Sequence, residues 1–190
     1  MTVKEFLDYL SQELNRSPRT VISYAEDLYA FEAYFLDKDE GLTWETIDTD
    51  IIRDWMESMV DKGNSPSSVA RRLSAVKGFF KFALAREFIS SDPAHAIRSP
   101  KRSRPLPQFL KENEINDLLD KQAWGDDFKG LRDRLIIMMF YETGVRLAEL
   151  VGMDDEAVNL AGQFIKVTGK GDKQRVIPFG NELKSMIENY

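Results

Sequence analysis

Three short runs, Val158-Asn159-Leu160, Phe164-Ile165-Lys166-Val167 and Arg175-Val176-Ile177-Pro178, interrupt a pattern that is helical almost everywhere else. They read as strands joined by glycine-containing turns, which makes the second part of the chain α+β. The turn Thr168-Gly169-Lys170-Gly171-Asp172-Lys173-Gln174 reads locally as a glycine-assisted hairpin with charged ends. It is not a P-loop, since no helix and no Ser or Thr follows the Gly-Lys. It is not a dinucleotide loop, since the third glycine is missing. Outward on one side, a last helix starts at about Asn181. On the other, Thr143-Gly144-Val145-Arg146-Leu147-Ala148-Glu149-Leu150 sets Arg146 just after a glycine break, opening a short helix to Val151. Arg146 and Glu149 stand three apart, a spacing that lets them pair on one helix face. Before these lie an apolar helix from about Phe128 to Tyr141 and one from about Lys111 to Lys121, with Ile115, Leu118 and Leu119 on one face.

The first hundred residues carry helical spacing only. Val3, Phe6, Leu7, Leu10 and Leu14 place a helix over residues 3–14. Ser17-Pro18 is a cap followed by a first-turn proline, opening a helix to about Leu36 that carries Val21, Ile22, Leu28, Phe31 and Phe35. A third helix runs from about Asp48 to Val60 with Ile51, Ile52, Trp55, Met56 and Met59, and Lys62-Gly63-Asn64 ends it. Ser65-Pro66 repeats the start signal for a fourth, to about Arg86. Residues 98–107, with three prolines and four basic side chains, have no hydrophobic period and read as an extended linker. The expected division is therefore a helical domain over 1–97, the linker, and a second domain over 108–190.

With 43% hydrophobic residues, the 190-residue chain is long enough for one or two cores. No apolar run approaches the ~20 residues of a membrane helix, and residues 1–5 lack the basic and apolar pattern of a signal peptide. The chain reads as a soluble, cytoplasmic protein. There is no Cys and one histidine, His95, so disulfides, thiolate chemistry and multi-histidine metal sites are excluded. The net charge of −6 hides an uneven distribution: −10 over residues 1–61, +8 over 62–104 and −4 over 105–190. A local basic stripe is what a phosphate backbone feels.

That stripe includes the fourth helix. Val69, Leu73, Val76, Phe80 and Leu84 form its expected core side; Ser74, Ala75, Gly78 and Ala85, flanked by Arg71 and Lys81, form the other. Small residues bordered by cations suit close approach to a phosphate backbone or entry into a major groove about 12 Å wide. The N–H groups at Ser65-Pro66-Ser67-Ser68 offer a further phosphate contact. A solvated face that happens to be basic is the alternative. Arg72 and Lys77 on the helix, and Arg98, Lys101, Arg102 and Arg104 in the linker, extend the basic run and favour duplex DNA.

Taken together, these pieces resemble the tyrosine recombinases, or phage-type integrases, and most closely their Xer-type branch. Four features carry the resemblance: Ser17-Pro18-Arg19-Thr20 with Tyr24 and Asp27-Leu28; Leu73-Ser74-Ala75-Val76-Lys77-Gly78-Phe79-Phe80 followed by Asp92-Pro93-Ala94; the linker ending Leu106-Pro107; and Thr143–Leu150 followed by Gly169-Lys170-Gly171-Asp172-Lys173-Gln174-Arg175-Val176-Ile177-Pro178. The resemblance implies a mainly α fold: a four-helix SAM-like core-binding domain, then the first part of an α+β catalytic domain with a small three-stranded antiparallel sheet.

It further implies that a tyrosine attacks the scissile phosphate, leaving a 3′-phosphotyrosyl link and a free 5′-hydroxyl. Arg146 matches the first catalytic arginine, whose planar fork suits two phosphate oxygens. Lys170 matches the hairpin lysine, proposed general acid to the departing oxygen. Glu149 is expected to fix the Arg146 rotamer, and Lys173 and Arg175 to contact phosphates. No metal or cofactor is implied. The implied partners are double-stranded DNA and further protomers in a tetrameric synapse. The family's His-x-x-Arg motif, its further His or Trp and its nucleophilic tyrosine are missing; His95 is expected at the surface, and Tyr190 reads as a chain end. The expectation is a piece of a longer recombinase that binds DNA weakly and does not cut it. An integrase-like binding protein without catalysis is the alternative, and a helical protein-interaction domain a third reading.

Overall fold

Helices of the first unit open on side chains that satisfy their own free N–H groups. Thr2 and Glu5 form a reciprocal capping box at α1 (Val3–Asp8). Ser17 caps α2 (Pro18–Lys38), Asp48 caps α3 (Thr49–Asp61) and Ser65 caps α4 (Pro66–Ala85), with Pro18 and Pro66 in the first turns. The computed structural model describes residues 1–101, 106, 108–121, 124–125, 127–169 and 171–190. They fall into two compact units, Met1–Leu106 and Pro107–Tyr190.

The first unit packs α1 to α4 around aromatic side chains. Phe79 lies 4.3 Å from Trp44 and 5.6 Å from Phe6 by ring centroid, and Phe31 lies 4.8 Å from Trp55. Such rings contribute large buried area plus edge-to-face contacts. Four expectations are corrected here. The first helix does not run evenly to Leu14: after Asp8 it widens into a π-helical turn, Tyr9–Glu13, and Leu14 closes it exposed. Ile22 is also exposed, outside the stripe formed by Leu28, Phe31 and Phe35. Leu84, expected in the core, is exposed in the last turn of α4, because the core there passes to Phe79, Phe82 and Ala83, which Phe6 of α1 meets at 5.4 Å from Phe82. Ala75, expected on the open side, is fully buried. Gly78 is equally committed to packing: a Cβ there would stand 3.3 Å from Phe6 Cζ and 3.7 Å from Tyr24 Cε2. The small residues of α4 thus serve close helix packing, and the face left open carries Ser67, Arg71, Ser74, Lys81 and Ala85.

The second unit runs α5 (Glu112–Lys121), α6 (Phe128–Thr143), α7 (Leu147–Val151), β1 (Val158–Asn159), β2 (Phe164–Thr168), β3 (Gln174–Pro178) and α8 (Asn181–Asn189). The strands form an antiparallel sheet in the order β1-β2-β3. Ile115, Leu119, Met138, Met139, Val145, Ile165, Val167, Phe179 and Leu183 make its core. The Glu142 carboxylate of α6 accepts the N–H of Gly180, the residue that precedes α8. No helix among the described residues is long and apolar enough to cross a membrane.

Candidate phosphate and nucleic-acid site

Residues 143–149 build a short bend that puts one cation at the surface. Thr143 ends α6 and is buried, its hydroxyl accepting the Val145 N–H at 3.3 Å. Gly144 takes φ +61°, the left-handed conformation that lets the chain leave the helix at little cost. Val145 drops into the core, which fixes the next residue outward. Arg146 is the N-cap of α7, and its side chain is 73% exposed.

Beneath it lies Glu149, whose side chain is 3% exposed. Its Oε2 accepts the Arg146 N–H and its Oε1 accepts Arg146 Nη1, each at 2.9 Å. Arg175 of β3 donates Nη1 to Oε1 at 2.6 Å and Nη2 to Oε2 at 2.7 Å. These charge-assisted bonds, Arg175 first and the Arg146 backbone next, hold the Glu149 carboxyl down at about 2 against the opposing effect of burial. The pairing of Arg146 with Glu149 is as the sequence suggests. Arg175 differs from expectation: both its terminal nitrogens are engaged by the carboxylate, because the β2–β3 register turns residue 175 to the inner face beside Ile177.

The turn after β2 reaches the same place. A Cβ on Gly169 would stand 3.2 Å from Glu149 Oε1, and the Gly169 N–H donates to the Lys173 carbonyl at 2.7 Å. Gly171 and Asp172 both take positive φ. Lys170, which stands between Gly169 and Gly171 in sequence, lies outside the described residues, as do Arg102 and Arg104.

Residues 3–87 match the family described as "Phage integrase, N-terminal SAM-like domain", and residues 108–190 match "Phage integrase family". The chain belongs to this family, the tyrosine recombinases. It is 38% identical over 186 residues to a "Tyrosine recombinase XerC" of Natranaerobius thermophilus, covering 98% of this chain and 62% of the relative. To a "Tyrosine recombinase XerD" of Oceanobacillus iheyensis it is 29% identical over 188 residues, covering 99% of this chain and 63% of the relative. This places it on the Xer-like branch. The chain spans a little over three fifths of the length of these relatives. In fold it is similar to a Tn1549 transposon integrase solved in complex with transposon right end DNA, with TM-score 0.75 and 18% identity over 99% of this chain and 64% of that one.

In the first unit the expected DNA contacts divide. Arg71 donates to Asp27 through Nη1 at 2.5 Å and Nη2 at 2.7 Å, and Asp27 is 4% exposed. Arg72 lies half-buried with Nε 3.8 Å from the same carboxylate and Nη1 3.6 Å from Met59 Sδ. Lys77 Nζ donates to the Ile97 carbonyl at 2.5 Å. The Ser65 hydroxyl caps the Ser68 N–H at 3.2 Å, which fills one of the donors expected to take a phosphate. Ser67, Lys81, Lys101 and, in the second unit, Lys173 are exposed. Asp27 is a partner that sequence reasoning missed. The signal was there: it is a carboxylate in the helical period of Leu28, Phe31 and Phe35, where an apolar side chain belongs. His95 is exposed, and Tyr190 stacks on Phe128 at 5.1 Å.

Proposed function

We propose that this protein is a site-specific DNA recombinase of the tyrosine type, acting through a 3′-phosphotyrosyl intermediate. The observation that carries the reading is Arg146: a largely exposed guanidinium braced from beneath by a buried, doubly held carboxylate. Phosphoryl transfer needs the phosphate positioned and the charge on its non-bridging oxygens neutralised. A planar guanidinium fork does both. Lys170 is the general acid to the leaving 5′-oxygen. Lys81, Ser67, Lys101 and Lys173 supply backbone contacts to duplex DNA, and further protomers complete a tetrameric synapse. The helical unit is the core-binding domain, the segment from residue 98 to 107 the linker, and residues 108–190 part of the catalytic domain. The single histidine, His95, is remote in sequence from the motifs at 146 and 170. We therefore assign residues 1–190 DNA binding and phosphate clamping, not the complete cut.

The test is a salt titration of duplex binding by fluorescence anisotropy. Affinity is expected to fall steeply as salt rises, with a log–log slope of about −0.9 per phosphate contacted. Absent or salt-insensitive binding would sink the DNA reading. In protein that also carries the nucleophile, Arg146→Ala is expected to abolish cleavage while largely preserving binding. Cleavage surviving that change removes the clamp role. Binding with no cleavage by any form of the protein would favour the non-catalytic accessory reading.

A further inference from the structure

Arg175 comes to Glu149 from 26 residues away in sequence and closes on it in a bidentate fork. An ionised carboxylate has about four lone-pair sites. Glu149 fills them with two bonds from Arg175 and two from Arg146. Arg146 spends one guanidinium donor on this carboxylate, and no other hydrogen bond from its guanidinium is formed among the described residues. Arg175 spends one donor from each terminal nitrogen, and its side chain is 38% exposed, about half the exposure of Arg146. The close approach of Gly169 adds a third element, so that the start of α7, strand β3 and the stem of the 169–173 turn all meet on one carboxylate.

Resting on the recombinase reading above, we infer that Arg175 is a positioning residue and not a phosphate ligand. It holds Glu149 in place, so that Glu149 orients Arg146 toward the DNA phosphate. The physical reason is rotamer freedom. Without Arg175 the carboxylate is held from one side only, by a residue that is itself mostly in solvent. Glutamate and arginine then regain torsional freedom, which a pre-positioned phosphate site must give up on binding. Lysine cannot replace the fork, because it offers one point of charge where the arginine offers two parallel donors.

The experiment uses the 190-residue chain with isotope labels on carboxyl carbons and arginine side chains. In wild type the Glu149 carboxyl should titrate near 2 and the Arg146 Nε–H should behave as an ordered group. Arg175→Gln is expected to move the Glu149 midpoint up toward the ordinary value of about 4.3 and to make the Arg146 Nε–H mobile. Arg175→Lys should fall between, and it supplies the same readouts if the glutamine variant does not fold. On a fluorescent non-specific duplex, Arg146→Gln should reduce the salt slope by about 0.9, the loss of one phosphate contact, while Arg175→Gln leaves the slope at its wild-type value. The inference is overturned if Arg175→Gln reduces the slope as Arg146→Gln does, or if Glu149 and Arg146 keep their wild-type signals. Should wild type fail to bind duplex at all, the recombinase reading fails, while the two spectroscopic readouts still decide whether Arg175 positions Arg146.

Discussion

Asp27 and Glu149 are the buried carboxylates among the described residues, one in each unit, and each has two arginines against it. At Asp27 both arginines come from consecutive positions of α4, and the bidentate one, Arg71, ties α4 to α2 across 44 residues of sequence. At Glu149 the arginines come from different elements: one closes the carboxylate down, while the other projects 73% exposed into solvent. The first arrangement spends its cations on joining helices. The second spends one cation to steady another. A count of basic residues cannot separate these cases, since every arginine involved contributes the same formal charge.

The contrast can be broken most sharply at Arg71. Arg71→Ala leaves Asp27 buried with only the longer contact to Arg72, and should cost about 3 kcal/mol, the low end for removing one partner of a buried pair. Urea unfolding measures it, and a loss below about 0.5 kcal/mol would make Arg71 a surface residue in energetic terms. Next comes acid. The Glu149 carboxyl is held at about 2, below its ordinary range, so the stability it contributes is fully present above about pH 4.3 and is lost as pH falls toward 2. Thermal unfolding of wild type should therefore weaken over that window more than that of Glu149→Gln; parallel curves would show that the carboxyl is not held down. The smallest effect is expected at Lys81, exposed on the open face of α4. Lys81→Ala should change stability by no more than about 0.5 kcal/mol yet reduce the salt slope of duplex binding by about 0.9. An unchanged slope would turn that face away from DNA.

Much of this molecule was readable residue by residue. Ser17-Pro18 and Ser65-Pro66 start α2 and α4 where cap chemistry says they should, and the change of period after residue 157 marks the sheet. Arg146 and Glu149 are three apart on one short helix, so their pairing needs no tertiary information. Other assignments failed for a common reason. Ala75 and Gly78 look like an open small-residue face on an isolated wheel, but α4 is packed on several sides, and Phe6 and Tyr24 occupy the space beside Gly78. Leu84 keeps the apolar period while the packed partners turn to Phe79 and Phe82. Val176 and Ile177 are adjacent and both apolar, so alternation by itself leaves open which of the two faces inward; the pairing of Val167 with Arg175 and Ile165 with Ile177 sends Arg175 inward and leaves Val176 exposed.

Sequence by itself determined the helix starts, the hairpin and the pairing of Arg146 with Glu149, because each depends on backbone preferences and side-chain spacings a few residues long. Only the tertiary structure decided which cations remain free for a phosphate. Arg71 and Arg175 find their carboxylates 44 and 26 residues away. Such partners are brought within hydrogen-bond reach by helix packing and strand register, which no local spacing encodes.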